Sequence, residues 1–274
     1  MSVLRVTLID VGWGDSLLVE SETQAGDALY GLVDCNDTTT LQSSYIFLKR
    51  FFEKKKVDIA ARKPVFEFVL LSHAHADHGQ GLHNIIKQFG TKQLWYSKSN
   101  SSGVLANLIR YANNSSNVQH HQAVDSTKVL PNFGDAAMEV FWPPYGLIDE
   151  NENNNSVVLS LTLGQVSLLL TGDAEGPVWE RIAGSIPQNT HFFKVPHHGS
   201  VNGTFATGHT TPWLDHCPVF ALLGISSHVR PFSHPHREVV QAITARGFTP
   251  YRTDEHYHIT VCTDGAGVNL KYSH

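Results

Sequence analysis

Cysteine is scarce in this chain. Its 274 residues include three, Cys35, Cys217 and Cys262, far apart and in no Cys-x-x-Cys spacing. No disulfide framework or thiolate knot can be built from them, and a reducing compartment is expected. Long apolar runs are missing as well. No stretch reaches the roughly 18 apolar residues that a spanning helix needs, so no membrane is expected as a partner. The first residues run directly into Val3-Leu4-Arg5-Val6-Thr7-Leu8-Ile9 without a leader-like pattern, and the expected location is the cytoplasm. Positive charge is not in excess: 20 Lys and Arg stand against 25 Asp and Glu. A protein that grips nucleic acid regardless of sequence usually has a basic surface. Here basic residues gather at Arg50, Lys54, Lys55, Lys56, Arg62 and Lys63, which read as a solvated helix end. A Walker A loop, a GxGxxG turn and a serine nucleophile elbow are all absent, and Gly12-x-Gly14 reads as a simple turn.

What the chain does have is histidine in one concentrated place. Residues 73–78 read His-Ala-His-Ala-Asp-His, directly after the apolar run Phe66-Glu67-Phe68-Val69-Leu70-Leu71. A buried strand ends, and three imidazoles and a carboxylate stand at its end. Neutral imidazole and carboxylate suit zinc, or manganese and iron where oxygen ligands dominate. Gathering such groups in a protein interior is costly unless a cation compensates them.

Length and an apolar fraction of 41% predict one domain, 1–274, with a sizeable core. Strands are expected at 3–9, 16–20, 29–34, 64–71 and 93–96, with helices at 41–56 and 79–89. Residues 97–118, rich in Ser and Asn around a helical piece near 103–112, read as a variable insert. In the second half, strands are expected at 138–142, 157–163, 166–170, 190–195, 218–224, 248–252 and 257–262. Helices are expected at 177–184 and 236–246.

His73-x-His75-x-Asp77-His78 resembles the signature of the metallo-β-lactamase superfamily. Residues 9–19, residues 170–173 (Leu-Thr-Gly-Asp) and residues 194–200 (Lys-Val-Pro-His-His-Gly-Ser) resemble one branch of it. That branch includes the soluble domain of ComEC-type competence proteins, and the chain is also similar to phosphorylcholine esterases. The resemblance implies an α/β (α+β) fold, a four-layer αββα sandwich, and two divalent metal ions, zinc or manganese, that activate water as hydroxide. It implies that His73 and His75 hold the first ion, that Asp77 and His78 hold the second, and that Asp173 bridges both. One of His197 and His198 completes the second ion while the other lines the pocket, with His198 the first choice. Asp77 also orients the attacking water, and Asp34 orients a ligand imidazole.

Two features depart from the superfamily pattern or add to it. Where most of the superfamily has a lone ligand histidine, this chain reads Asn153-Asn154-Asn155-Ser156, as the competence-type branch does. The first ion is then expected to have fewer protein ligands, a weaker affinity, or an Asn carbonyl or water in that place, which moves the expectation toward manganese or mixed occupancy without excluding zinc. Asn153 and Ser156 are therefore expected at the substrate. His234, in Phe232-Ser233-His234-Pro235-His236, is a candidate catalytic residue that contacts a phosphate or protonates a leaving oxygen. His228 and Arg230, on the same loop, are candidates to bind an anionic substrate. Trp13 is a candidate to stack on it.

The leading functional expectation is a phosphodiesterase or nuclease acting on nucleic acid or a nucleotide. An ester, thioester or lactam hydrolase is the alternative. A metal-binding interaction module without turnover, serving a partner protein, is the reading from another class.

Overall fold

The computed structural model describes residues 1–100 and 103–273. Among these, one sheet runs in the order β14 (Val268–Ser273), β13 (His258–Thr263), β1 (Val3–Leu8), β2 (Leu17–Glu22), β3 (Ala28–Val33), β4 (Phe66–Leu71), β5 (Thr91–Tyr96) and β6 (Val118–Ala123). A second runs β12 (Pro250–Arg252), β11 (Leu222–Ile225), β10 (Thr190–Lys194), β9 (Val166–Leu170), β8 (Val158–Leu163) and β7 (Ala137–Trp142).

The apolar sequence of β4 explains the layering. Phe68 and Leu70 join a core shared with Leu159, Leu161, Leu168 and Phe192 of the second sheet. Phe66, Val69 and Leu71 point the other way, against Leu48 and Phe52 of helix Ser43–Lys54 and Ile85, Ile86 and Phe89 of helix Leu82–Phe89. A strand covered on both faces loses its polar alternation. On the far side, Leu169 and Phe193 meet Trp179, Trp213, Val239 and Ile243 from helices Gly176–Ile182, Pro212–His216 and Arg237–Ala245. The layers are helix, sheet, sheet, helix, as expected.

Four elements differ from expectation. The helix expected over 79–89 is two pieces, Ala76–Gly79 and Leu82–Phe89. Gly81 interrupts it because its N–H is drawn to the carbonyl of Cys35 at 3.0 Å. Residues 118–123 in the Ser/Asn-rich region form β6, an edge strand with one buried residue, whose polarity hid it. Residues 101 and 102 of the expected insert lie outside the described residues. The strand expected from 218 begins at Leu222, because Ala221 closes a turn back to Pro218. Strand β14 was not anticipated, since Asn269 and Lys271 give it the polarity of a tail.

What positions the site is the direction of the strands. β3 to β6 run parallel, as do β9 to β12. Loops at the carboxyl ends of parallel strands are the usual place for ligands. Here the two sheets meet: Val157 N–H, just before β8, donates to the carbonyl of Ser72, just after β4.

Candidate metal centre

His73 follows β4 and is fully buried, its Nδ1 3.1 Å from Ser72 Oγ and its Nε2 3.1 Å from His75 Nδ1. His75 caps the short helix Ala76–Gly79, which carries Asp77 and His78. Asp173 stands after β9. His197 and His198 stand after β10, where both adopt left-handed backbone angles, φ 48° and 54°. Such conformations cost roughly 1–3 kcal/mol each in non-glycine residues and tend to occur where a site requires them. Here they turn both rings toward Asp173.

Asp77, His78, Asp173 and His198 each offer one donor atom, all within 4.8 Å of one another. Asp173 Oδ2 lies 3.2 Å from His78 Nε2 and 3.3 Å from His198 Nε2, and Asp77 Oδ2 lies 3.8 Å from both nitrogens. Donors around a tetrahedral zinc at about 2.0–2.2 Å are themselves roughly 3.3–3.6 Å apart. Buried atoms in the cluster, His78 Nε2, His198 Nε2 and Asp173 Oδ1, have no hydrogen-bond partner. Each such orphan costs about 1–3 kcal/mol, which a cation at the centre would relieve. The donor set therefore fits a divalent ion.

Polar groups behind the donors fix their tautomers. Asp34 Oδ2 is 2.8 Å from His78 Nδ1, while its carboxylate also accepts from Ser72 N–H and Oγ–H at 2.7 and 2.6 Å. The carbonyl of Ser226 accepts from His198 Nδ1 at 2.9 Å. Both imidazoles thus present Nε2 to Asp173, the arrangement that raises ligand basicity. Burial opposes charge on Asp173, yet His198, His78 and His197 outweigh it and hold the carboxyl well below its usual range. Burial likewise opposes protonation of His78, but Asp173, Asp34 and Asp77 raise its pKa. For His73, burial and the neighbouring His78 act together and push the pKa well down.

A pocket of about 380 Å³ opens over these donors. Asn153 and His234 line it, and Trp13 stands at the mouth, 5.7 Å edge-on from Phe232. Two expectations need correction. Ser156 is fully buried and does not reach the pocket; its Oγ accepts from Asp173 N–H at 2.9 Å. It lies so close under Gly172 (φ 52°) that a Cβ there would meet its Oγ at 2.9 Å, which is why the loop needs glycine. His228 and Arg230 are exposed and outside the pocket lining. His228 Nδ1 turns back to Arg230 backbone instead.

Three residues of the site escaped sequence reading, which gave them no role there: Lys194, Glu175 and Phe232. Lys194 is 1% exposed and pairs with the buried Asp15 at 2.7 Å. A lysine inside the apolar run His191-Phe192-Phe193-Lys194-Val195 was the available signal.

Burial, then repulsion from His198, His197 and His236, lowers the His234 pKa to about 4. Unfolding restores it toward 6.5, so between those values the unfolded chain binds the extra proton and stability falls as pH falls. Metal-free wild type should therefore lose more thermal stability between pH 6.5 and pH 4 than His234→Gln does. Equal losses in the two proteins would contradict this.

Comparison with known proteins places the architecture: the chain has the metallo-β-lactamase fold. A structure from Parabacteroides distasonis ATCC 8503, provisionally described as a metal-dependent hydrolase, superposes with a TM-score of 0.51 at 12% identity, over 92% of this chain and 93% of that one. In sequence, the chain is 26% identical over 262 residues to ComE operon protein 3 of Bacillus subtilis (strain 168), which covers 92% of the chain and 32% of that protein. It is 31% identical over 136 residues to the uncharacterized protein YcaI of Escherichia coli (strain K12), covering 49% of the chain and 15% of that protein. The chain thus spans a third or less of either relative. No family model matches it. Among the described residues no helix is long and apolar enough to cross a membrane.

Proposed function

We propose that the chain is a metal-dependent hydrolase whose substrate is a phosphodiester of the nucleic-acid or nucleotide type, with two divalent cations, zinc or manganese, at the site. The observation that carries this is the convergence of Asp77, His78, Asp173 and His198 at the floor of an open pocket. Divalent ions bound there would neutralise charge on phosphoryl oxygens and bring the pKa of water toward neutrality. Asp77 is the most solvent-accessible donor of the four, with a side chain 17% exposed, so its carboxylate can accept a hydrogen bond from an incoming water and aim it. His234 is neutral at pH 7 and offers a hydrogen bond to a phosphoryl oxygen rather than a proton to transfer. Trp13 and Phe232 give the mouth two aromatic faces that suit a flat ring such as a nucleobase.

The test is hydrolysis of bis-p-nitrophenyl phosphate by chelator-treated protein, with manganese or zinc then restored. Turnover should depend on the added metal. His234→Gln should lower kcat roughly 10²-fold without changing metal content, the scale of one lost donor to developing charge. Turnover of p-nitrophenyl acetate but of no diester would favour the ester reading. Metal bound without turnover of either would favour the interaction module.

A further inference from the structure

We propose that the groove along helix Ser43–Lys54 is a second binding surface for the substrate, holding a single-stranded polynucleotide by phosphates and bases beyond those at the metal centre. This deepens the substrate proposed above and rests on it, since it makes that substrate a polymer rather than a free nucleotide.

The groove starts at the edge of the fold that carries the metal centre. β1 is antiparallel to β2, and β2 to β3, so β1 ends at the same edge as β3 and β4. Asp10 follows β1 and lines the groove, while Trp13, on the same loop, lines the pocket over the metal donors. The peptide steps between them span at most about 11 Å, so groove and pocket are neighbours. Asp37, in the loop after β3, ties the helix to that edge by accepting from the N–H of Ser44 and Tyr45 at 2.8 Å each. From there the helix leads away, because Lys55 at its far end reaches Glu22, which stands opposite Val3 at the start of β1. Its 12 residues make it about 18 Å long, room for about five nucleotides at the 3.4 Å rise of a stacked strand.

Along this length the groove, about 490 Å³ in volume, alternates rings and cations. Phe47 and Phe51 are half-buried and nearly parallel, 15° apart with centroids at 6.2 Å. Arg50 follows the first ring and Lys54 the second at the same short helical spacing, which puts all four on one face. The sequence reads both cations as part of a solvated helix end; the structure lines a groove with them. Among the described residues neither is in an ion pair, whereas Lys55 is taken up by Glu20 and Glu22 at 3.1 and 3.2 Å. The carboxylate of the lining, Asp10, turns to its own loop, its Oδ1 accepting from Gly12 N–H at 3.1 Å. His258 accepts Asp10 N–H on Nδ1 at 3.0 Å, so its proton is on Nε2, a donor for a phosphate oxygen. Rings for bases and cations for the backbone are how a single strand is held without regard to sequence. A chain without overall positive charge meets that need where its cations gather on one face.

The test compares two substrates of the manganese-loaded protein: an oligothymidylate of about 12 nucleotides, and bis-p-nitrophenyl phosphate, which is too small to reach the groove. Arg50→Ala combined with Lys54→Ala should lower kcat/KM for the oligonucleotide about tenfold relative to the small diester, through KM rather than kcat. Fluorescence anisotropy with chelator-treated protein, which holds the strand without cutting it, should show the same loss. The slope of log K against log salt should become shallower by about 1.4, two phosphate contacts at about 0.7 each. Phe47→Leu removes the ring while keeping an apolar side chain, and should weaken strand binding about fivefold with the salt slope unchanged. Equal losses on both substrates, or wild-type affinity and salt slope in the double variant, would overturn the assignment. So would binding to phosphatidylglycerol vesicles that needs Arg50 and Lys54 while strand binding does not, which would make the face a membrane contact. Strand binding that depends on the groove, without turnover of any diester, would count against the proposed chemistry and leave the groove standing.

Discussion

Asp173→Ala should abolish metal-dependent turnover, by at least about 10³-fold in kcat/KM, and should weaken the binding of both ions rather than one. The expectation follows from where the carboxylate sits. One oxygen approaches Nε2 of His78, His198 and His197 at 3.2, 3.3 and 3.8 Å, and the other is buried without a partner. Removing it leaves imidazoles facing one another around a space with no shared anion. His78 and His198, whose pKa values are raised against burial by Asp173 first of all, would then hold their protons less readily but would also lose the charge that draws a cation between them. Asp173→Asn separates charge from shape. It keeps one carbonyl donor and should retain weak binding of one ion with turnover still lost. Chelator titration read beside bis-p-nitrophenyl phosphate hydrolysis checks both variants. Wild-type turnover in Asp173→Ala would sink the proposed chemistry, because among the described residues no other carboxylate approaches all three imidazoles.

Much of this was legible in the sequence, for physical reasons that differ between elements. The run 66–71 is apolar because β4 is covered on both faces, and the ligands crowd directly after it because the parallel strand must end there. His73, His75, Asp77 and His78 are therefore local in sequence. Asp173 could be placed through its Thr-Gly prefix, where Gly172 alone fits over Ser156. Of the groups that support the ligands, Asp34 was legible at the end of its strand, but the others were not, since each is distant in sequence from what it supports. Lys194 meets Asp15 at a sequence separation of 179 (194 − 15), and Asn151 reaches Glu175 at a separation of 24 (175 − 151). Ser156 misled for the same reason: a serine beside a site is equally able to meet substrate or to hold the backbone of the loop. Edge strand β6 escaped because half its residues face water and it carries no apolar pattern, and β14 because its Val268, Leu270 and Tyr272 alternation is short and none of the three is buried.

Lys194→Met should destabilise the metal-free protein by about 3–5 kcal/mol, the usual cost of stripping one partner from a buried ion pair. For a chain of this size that is roughly a 10 °C fall in Tm. Methionine keeps most of the length and apolar volume of lysine, so the change isolates the ammonium group. Nζ lies 2.7 Å from Asp15 Oδ2 and also donates to the carbonyl of Gly172 at 3.2 Å. Neither the Lys194 nor the Asp15 side chain is more than 1% exposed. Without the ammonium, the Asp15 carboxylate remains in the interior, close to His198 Nδ1 (3.6 Å) and His78 Nδ1 (3.9 Å), and must either pull a proton onto one of them or take one itself. Adding Asp15→Asn removes the stranded charge, so the double variant should be more stable than Lys194→Met alone, and the cycle measures the pair directly. Metal must be removed first, because ions that bind the folded chain raise Tm by mass action and would mask the loss. A Tm within about 2 °C of wild type for Lys194→Met, read in the absence of metal, would mean that water or a shifted proton compensates Asp15 and that the lysine does not hold the loop after β1 against the ends of β9 and β10.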